Sequence, residues 1–558
     1  MGRGPIGENE VISRDGVNIM AIIELRELAE AAQKDYASEI VAGLVNNEIR
    51  DLQSEIDDAA DISFIELNSG RGWRIYRRTV MFVLFTAVHE MYPSAEVVAQ
   101  FSANKGIFCE LRHFGGGVNE DIVRNIEKRM RELIAEDLPI IKMKMEREQA
   151  VKIFKNTRQI EKANLISSLK MEKVSLYQCG EFYDYLYGVM LGHTGSLTQF
   201  ALDVEAGGIL LRIPDMDTGG AVRERIPQPK LSQILSESRQ WAHALQCNFV
   251  PDLNRINRHG GIGELIRVSE ALQEKRIAQI ADHIAEKKGF LRLILIAGPS
   301  SSGKTSFAQR LRVQLRAAQL MPVSISLDDY FVNRENTPRK PNGEYDYECI
   351  EALDVDLFNE HMLALLACEE VVLPTYNFIT GSREWNENKR LTVTREQPII
   401  VEGIHGLNER LSEYVPHSRK YKIYISALTQ LNIDAHNRIS TTDARLMRRL
   451  VRDYQFRGSG ALKTLKQWPD VREGEEKNIF PYQEEADVMF NSALIYELGI
   501  LKHYAEPLLQ MVPRDIPERA EAKRLLDILQ YFDDIADEDD VPNNSLLREF
   551  IGKSVFFK

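Results

Sequence analysis

The stretch Gly298-Pro299-Ser300-Ser301-Ser302-Gly303-Lys304-Thr305 decides the fold of this chain. It matches G-x-x-x-x-G-K-[ST] in full and stands between an apolar run, residues 291–297, and a helical pattern, residues 306–319. The backbone N–H groups of such a loop and the positive end of the following helix surround a phosphate. The sequence therefore predicts a phosphate-binding loop, with Lys304 on the β- and γ-phosphates of a nucleotide and Thr305 on Mg²⁺.

Short apolar stretches at residues 323–327, 399–401 and 421–425 each have a helical pattern nearby. This alternation predicts a parallel sheet flanked by helices, an α/β core. Ligands of such sheets gather where the strands end. Two acids stand there: Asp328 after the second strand and Glu402 at the end of the third.

A carboxylate at Asp328 suits the task of accepting or orienting the proton of a hydroxyl that is phosphorylated. The neighbouring Asp329 has an alternative reading as a helix cap. Glu402 suits contact with Mg²⁺, directly or through water, and the alternative is an exposed strand-end glutamate. We expect Thr305, Asp328 and Glu402 to form the metal site.

A basic helix is predicted over residues 442–453. Four arginines share one of its faces, at spacings of i, i+3, i+4 and i+7: Arg445, Arg448, Arg449 and Arg452. Arg457 follows, just before Gly458-Ser459-Gly460, a predicted hinge. Guanidinium groups that close over a transferring phosphoryl group stabilise its charge and exclude water. The alternative is a solvated basic face.

At these residues the chain resembles the uridine kinase/phosphoribulokinase family of P-loop kinases, over roughly residues 291–509. The motifs that carry the resemblance are GPSSSGKTS, SLDDYF, YDYE (345–348), LPTYNF (373–378), IIVEGI and RLMRRLVRD. The resemblance implies Asp328 as catalytic aspartate, Asp346 on ribose hydroxyls, and Tyr376 in the nucleoside pocket. It implies lid arginines on phosphate and substrate, namely Arg449, Arg452 and Arg457. The predicted nucleotide-binding residues are Gly298, Ser300, Ser301, Ser302, Gly303, Lys304, Thr305 and Ser306.

One departure from that family bears on the substrate. Uridine kinases have a histidine that reads the pyrimidine a few residues after the tyrosine, and the aligned position here is Gly381. Base choice is therefore open, and another polyol with adjacent hydroxyls could use Asp346. Nearby His405 is interpreted as structural.

Four short segments stand out in the front region: VNNE (45–48), DISFI (61–65), YRRT (76–79) and CGEF (179–182). Through them, residues 22 to about 214 resemble the N-terminal region of threonyl-tRNA synthetase, a small TGS-like module followed by the editing-type domain. The places of the synthetase's hydrolytic cluster hold Arg78, Phe82 and Phe182, and only Cys179 remains. We expect the editing chemistry to be absent, because a lone cysteine neither binds a metal nor organises a water. The full arrangement resembles a bacterial class of nucleoside kinases that carry this region.

The charge of the front region argues against nucleic-acid binding. Residues 1–215 contain 25 Lys+Arg and 33 Asp+Glu, a net charge of −8 within the −13 of all 558 residues. A phosphate backbone calls for a basic surface. Five scattered cysteines without a CxxC pair predict a reduced, cytoplasmic setting, and no apolar run approaches the length of a membrane span.

These observations predict an ATP- and Mg²⁺-dependent kinase with an alcohol acceptor, most simply the 5′-hydroxyl of a uridine- or cytidine-like nucleoside. A kinase of a sugar or cyclitol and a nucleotide-controlled, RNA-associated regulator are the alternatives. The oligomeric state is open, a homo-oligomer included. The predicted units are a leader (1–20), a TGS-like module (21–70), an editing-like domain (71–215), a linker and helical connector (216–290), a kinase domain (291–510) and a helical, acidic tail (511–558). We expect the acidic run of this tail, residues 533–540, to be solvated.

Overall fold

A computed structural model of the chain describes residues 22–57, 60–103, 106–215, 218–341 and 343–557. The predicted leader, residues 1–20, lies outside the described residues. The protein is of the mixed α/β class, as the sequence predicts. No helix in the described ranges is long and apolar enough to cross a membrane.

The first unit is a small α+β module around strand β2. Its elements are β1 (Ile22–Glu24), α1 (Leu25–Ala32), β2 (Ile40–Val45), β3 (Glu48–Arg50), β4 (Glu55–Asp57) and β5 (Ile62–Glu66). β2 is buried along its whole length and pairs antiparallel with β3 and β5. Asn46 and Asn47 both have positive φ, at 49° and 61°, a turn conformation that asparagine tolerates. The tight hairpin from β2 to β3 follows from this pair.

The second unit packs two antiparallel sheets against one buried helix, α2. Its elements are α2 (Gly70–Met91), β6 (Glu96–Ala103), β7 (Gly106–Arg112), α3 (Glu120–Ala135), β8 (Ile141–Glu146), α4 (Arg147–Asn156), α5 (Ile160–Ser168), β9 (Lys173–Cys179), β10 (Phe182–Asp184), β11 (Ala201–Glu205) and β12 (Gly208–Arg212). The sheet orders are β11-β12-β7-β6 and β10-β9-β8. Helix α2 starts at its cap Ser69, whose hydroxyl accepts from Gly72 N at 3.0 Å.

Three helices connect this unit to the kinase-like core: α6 (Pro229–Ala244), α7 (Val250–Arg258) and α8 (Ile262–Glu286). The core contains β13 (Leu293–Ala297), α9 (Lys304–Ala317), β14 (Val323–Ser326), α10 (Val355–Leu366), β15 (Val371–Asn377), β16 (Ser382–Leu391), β17 (Ile399–Glu402), β18 (Lys420–Ser426), α11 (Thr441–Arg457), α12 (Ala461–Asn478), β19 (Val488–Asn491) and α13 (Glu497–Gln510). Five strands form a fully parallel sheet in the order β14-β17-β13-β18-β19.

The register of this sheet brings the predicted site together. Ile296, Ser326 and Glu402 occupy the same row of three neighbouring strands. The phosphate loop starts two residues after Ile296, and Asp328 comes two residues after Ser326. The loop and both acids therefore lie at one edge of the sheet.

The C-terminal segment differs from the predicted solvated tail. After α14 (Arg519–Leu529), Phe532 and Ile535 are buried, and the chain ends with a short helix, α15 (Arg548–Ile551). Within the acidic run 533–540, Glu538 is 9% exposed and bonds Lys553 and Tyr504. The prediction of a wholly solvated run is wrong, because interspersed apolar residues anchor it.

The loop after β18 joins the kinase-like core to the front region. Asn432 Nδ2 donates to Ala99 O at 2.9 Å, and Ala99 N donates to Ala435 O at 2.8 Å. Lys162, 2% exposed, bonds the fully buried Asp184 and also His436 Nδ1 at 2.9 Å. This loop leads directly into α11, the helix that carries the five arginines. The contacts of the loop therefore connect the front region to α11.

Candidate active site

The phosphate loop curls around the start of α9. Ser301 and Gly303 have positive φ, 58° and 82°, and a Cβ on Gly298 would come within 2.0 Å of Ile425 O. The loop thus needs glycine at Gly298 for close approach and at Gly303 for its conformation. Lys304 Nζ donates to Gly298 O at 2.9 Å and to Pro299 O at 3.2 Å, which places the ammonium inside the curve of the loop.

Two hydroxyls of this loop fit a phosphate ligand. Ser301 and Ser302 are 3% and 0% exposed, and neither Oγ has a hydrogen-bond partner among the described residues. A buried hydroxyl without a partner is costly, so such groups normally meet a ligand or water. The chemistry of this cradle, with a lysine and a helix N-terminus beside it, fits the phosphates of ATP.

Acids surround Lys304 on the other side. Burial lowers the pKa of Lys304, while Glu402, Glu549 and Asp328 oppose that shift. Burial raises the pKa of Glu402 to about 7 against the pull of Lys304, and burial likewise raises the pKa of Asp328. The Asp328 carboxyl is surrounded by enough protein atoms for its pKa to rise, although its side chain still reaches solvent. A carboxyl at Asp328 with a raised pKa, beside a cation, suits a group that accepts a proton.

The metal site predicted at Thr305, Asp328 and Glu402 is tested by its donor set. The Thr305 hydroxyl lies beside the Glu402 carboxylate, and Asp328 is an electrostatic neighbour of both Glu402 and Lys304. Among the described residues, no group of three or more His, Cys, Asp or Glu side chains could hold a metal alone. The Thr305 hydroxyl and the two carboxylates are oxygen donors, the kind that Mg²⁺ takes while it keeps phosphates and water in its shell.

Two arginines of α11 lie differently from the predicted closing face. Arg445 and Arg448 are 1% and 0% exposed, and they pair with Glu475 and Glu497. Arg445 Nε donates to Ser300 O at 2.9 Å, and Arg448 donates to Ser301 O at 3.4 Å. They hold the loop from behind rather than facing a phosphoryl group. The reason is the depth at which α11 packs, which spacing alone does not reveal.

The other three arginines of this helix gather on one carboxylate, Asp453. Arg449 Nε lies 3.2 Å from Asp453 Oδ2, and Arg452 donates to Asp453 Oδ1 at 3.1 Å. Arg457 lies 3.6 Å from Oδ1, and its side chain is 58% exposed. Arg449 also donates to Ser300 Oγ at 2.8 Å. Asp453, 3% exposed, was missed by sequence reasoning, and its i, i+4 relation to two arginines was the available signal.

The residues predicted to hold the acceptor lie on the segment after β14 and on the β15–β16 hairpin. Asp346 Oδ1 accepts from Glu348 N at 3.1 Å. Tyr376 is 5% exposed, and its N–H donates to Asp329 Oδ1 at 3.4 Å. Asp329 therefore ties β15 to the segment of Asp328, and it does not cap a helix. His405 is 2% exposed, and burial lowers its pKa to about 4.

One further carboxylate reaches the loop from the C-terminus. Glu549 Oε2 accepts from Ser306 N at 3.2 Å and from Ser306 Oγ at 2.7 Å. It lies in the four-residue helix α15, beyond the stretch that resembles a kinase. No sequence signal connects the two positions, because they are 243 residues apart.

The front region places the four expected positions around α2. Arg78 donates to Val189 O at 2.5 Å, and the rings of Phe82 and Phe182 lie 5.7 Å apart. Burial raises the pKa of Cys179 to about 11, so its thiol stays protonated at neutral pH. Phe182 is 5% exposed and therefore lies in the core of the front region.

Comparison with known proteins identifies the class of the core. Residues 293–495 match the family described as Phosphoribulokinase / Uridine kinase family. The match falls on the stretch where the sequence motifs predict a similarity to this family.

The front region has relatives of another kind. It matches threonine–tRNA ligase of Syntrophotalea carbinolica with 30% identity over 182 residues, 32% of this chain and 28% of the ligase. Threonine–tRNA ligase of Rhodospirillum rubrum is 32% identical over 184 residues, which are 33% of this chain and 28% of the ligase. The chain thus spans less than a third of these relatives. A solved structure, "Structure of a Possible Uridine Kinase from Bacillus stearothermophilus", covers 39% of this chain and 98% of its own, with 20% identity and a TM-score of 0.27.

Proposed function

We propose that the protein transfers the γ-phosphate of ATP to a hydroxyl of a small molecule, a nucleoside 5′-hydroxyl in the first place. The observation that carries this proposal is the convergence of the phosphate loop, Asp328 and Glu402 at one edge of the parallel sheet. Each of them is a neighbour of Lys304, so the charges needed for phosphoryl transfer meet at one place.

In this mechanism the loop amides, the two serine hydroxyls and Lys304 bind the triphosphate. Asp328 orients the acceptor hydroxyl and takes its proton as the new O–P bond forms, while the bond from the γ-phosphorus to the bridging oxygen breaks and ADP leaves. Arg452 and Arg457 neutralise the charge of the transferring group, and Arg449 fixes the loop at Ser300 while contacting the substrate. Asp346 and Tyr376 position the acceptor.

Thr305 and Glu402, with Asp328 beside them, would hold Mg²⁺. There Mg²⁺ would supply positive charge that offsets the negative charge developing on the transferring phosphoryl group. Thr305 at the start of α9 and Glu402 at the end of β17 are already neighbours before any ion binds. We also propose the domain boundaries given above as the units of the chain.

The test is ADP release by the full-length protein with MgATP and a panel of nucleosides, sugars and inositols. We expect turnover with at least one acceptor and a loss of about a hundredfold or more in Asp328→Asn, since the base is removed while shape is kept. Asp356→Asn, an exposed acid in the first turn of α10, is the matched control and should retain wild-type rates. Full activity in Asp328→Asn would disprove the role of Asp328, and no turnover with any acceptor would disprove the kinase proposal.

A further inference from the structure

The acceptor side of the site contains a cluster of four aromatic rings, Phe331, Tyr347, Tyr376 and Phe378, called the aromatic cluster below. The ring centroids of Phe331 and Tyr376 lie 5.4 Å apart, those of Tyr376 and Phe378 5.0 Å, and those of Phe331 and Tyr347 6.0 Å. Phe378 is 60% exposed, so the cluster opens to solvent. Aromatic faces of this kind favour a flat ring as ligand.

Arg334 lies against this cluster. Its Nε donates to the Tyr347 hydroxyl at 3.2 Å, and one terminal nitrogen donates to Phe378 O at 2.9 Å. Its backbone N–H donates to Gly381 O at 2.8 Å. These contacts hold the guanidinium plane at the rim of the aromatic cluster, six residues along the chain from Asp328.

The position of Arg334 depends on Gly381. Gly381 has φ of 73°, and a Cβ built there would lie 2.5 Å from Arg334 Nε and 2.6 Å from its Cζ. Any side chain at this position would meet the guanidinium. The absence of a side chain at Gly381 therefore gives Arg334 its place.

The Arg334 guanidinium has unused N–H donors and no paired carboxylate among the described residues. Arg383, in strand β16, pairs with Asp354 at 2.9 Å. In the described part of the chain, no carboxylate pairs with Arg334. A guanidinium has five N–H groups and cannot accept a hydrogen bond. Two of them are used within the protein, which leaves a terminal fork free for a ligand.

We infer that Arg334 selects the acceptor, a nucleoside whose base presents two adjacent hydrogen-bond acceptors to the guanidinium fork. The inference rests on the nucleoside kinase function proposed above. Guanine and hypoxanthine offer O6 beside N7, and cytosine offers O2 beside N3. Adenine has an N–H₂ donor beside N7, and uracil has an N–H donor between its two carbonyls. In both bases a donor would therefore face an N–H donor of the guanidinium. Arg334 is thus a specificity residue that contacts the acceptor's base and takes no part in phosphoryl transfer.

The experiment measures kcat/KM of the full-length protein with saturating MgATP and guanosine, inosine, cytidine, uridine or adenosine. We expect at least one of the first three to exceed both uridine and adenosine by about tenfold or more, the discrimination typical of one bidentate contact. In Arg334→Gln, whose amide offers both a donor and an acceptor, this preference should fall to within about threefold. The change should appear mainly in KM, because the base is remote from the reacting atoms.

Two further variants guard against a purely structural effect. Gly381→Asn displaces the guanidinium without removing it, and asparagine tolerates positive φ, so it should lower the same preference. Arg390→Gln removes an exposed arginine of the same hairpin, paired with Glu370, and should keep the wild-type preference. If Arg334→Gln unfolds, as shown by its thermal transition, Gly381→Asn decides.

The outcomes separate this inference from the proposed function. A wild-type preference for uridine or adenosine, or a preference that Arg334→Gln leaves unchanged, overturns the role of Arg334 while the kinase stands. Turnover of sugars or polyols alone also overturns it. No turnover with any acceptor overturns both proposals together.

Discussion

Glu549→Gln should tighten the binding of ATP. The Glu549 carboxylate accepts hydrogen bonds from the backbone and the hydroxyl of Ser306, in the first turn of the helix that follows the phosphate loop. Donors at that place attract anions, and the carboxylate is also an electrostatic neighbour of Lys304. A nucleotide phosphate and Glu549 therefore compete for the same donors.

The magnitude follows from those two hydrogen bonds. A hydrogen bond to a charged group contributes about 1.5–3 kcal/mol, and Glu549 is half-buried, so solvent reduces the value to about 1–2 kcal/mol. Glutamine keeps the size but not the charge, and it no longer repels the triphosphate. The Kd for ATP should fall by about 5- to 30-fold.

The assay is titration calorimetry of the full-length protein with MgATP and with MgADP at moderate salt. Glu506→Gln, a partly exposed glutamate of α13 that lies 3.8 Å from Lys502, is the control and should leave both Kd values unchanged. An unchanged Kd in Glu549→Gln would show that the carboxylate and the phosphates do not compete. A weaker Kd would show that Glu549 assists nucleotide binding.

Three other predictions follow from buried charges. Asp453→Asn should lower kcat/KM by about tenfold or more, because the three arginines that contact this carboxylate lose their common partner. A wild-type kcat/KM in steady-state kinetics would contradict this prediction. Glu402 has a folded pKa of about 7, above its usual 4.5, so its contribution to stability is full below pH 4.5 and lost as pH rises through 7. Glu402→Gln should therefore raise the Tm of the ligand-free protein by about 2–4 °C at pH 8 and leave it near wild type at pH 4.5, and equal shifts at both pH values would count against the burial of this carboxyl. Lys162→Met should cost about 3–5 kcal/mol in urea unfolding, because it leaves the buried Asp184 carboxylate without its lysine counter-charge, and a wild-type midpoint would refute it.

Local sequence patterns were enough to predict the core of this fold. The loop with Lys304 predicted a strand before it and a helix after it, and both exist within two residues of the predicted bounds. The acids Asp328 and Glu402 follow parallel strands, so their meeting at one edge of the sheet follows from topology alone.

Long-range contacts account for what the sequence did not predict. Arg445 and Arg449 have the same chemistry and share a helix face, yet only the packing of α11 decides that the first is buried against Glu475. Glu549 reaches Ser306 across the chain, and no periodicity records such a contact. Likewise, nothing local in the sequence predicts that a loop of the kinase domain brings His436 to Lys162 and Asp184 in the front region.

The transfer of label from γ-labelled ATP tests the central claim most directly. The full-length protein, Asp328→Asn and the control Asp356→Asn are incubated with Mg²⁺ and each nucleoside, and the labelled products are separated. We predict label in a nucleoside monophosphate with the wild type and the control, and a loss of about a hundredfold or more with Asp328→Asn. Label found only in inorganic phosphate, at equal rates in all three proteins, would contradict a phosphotransferase centred on Asp328.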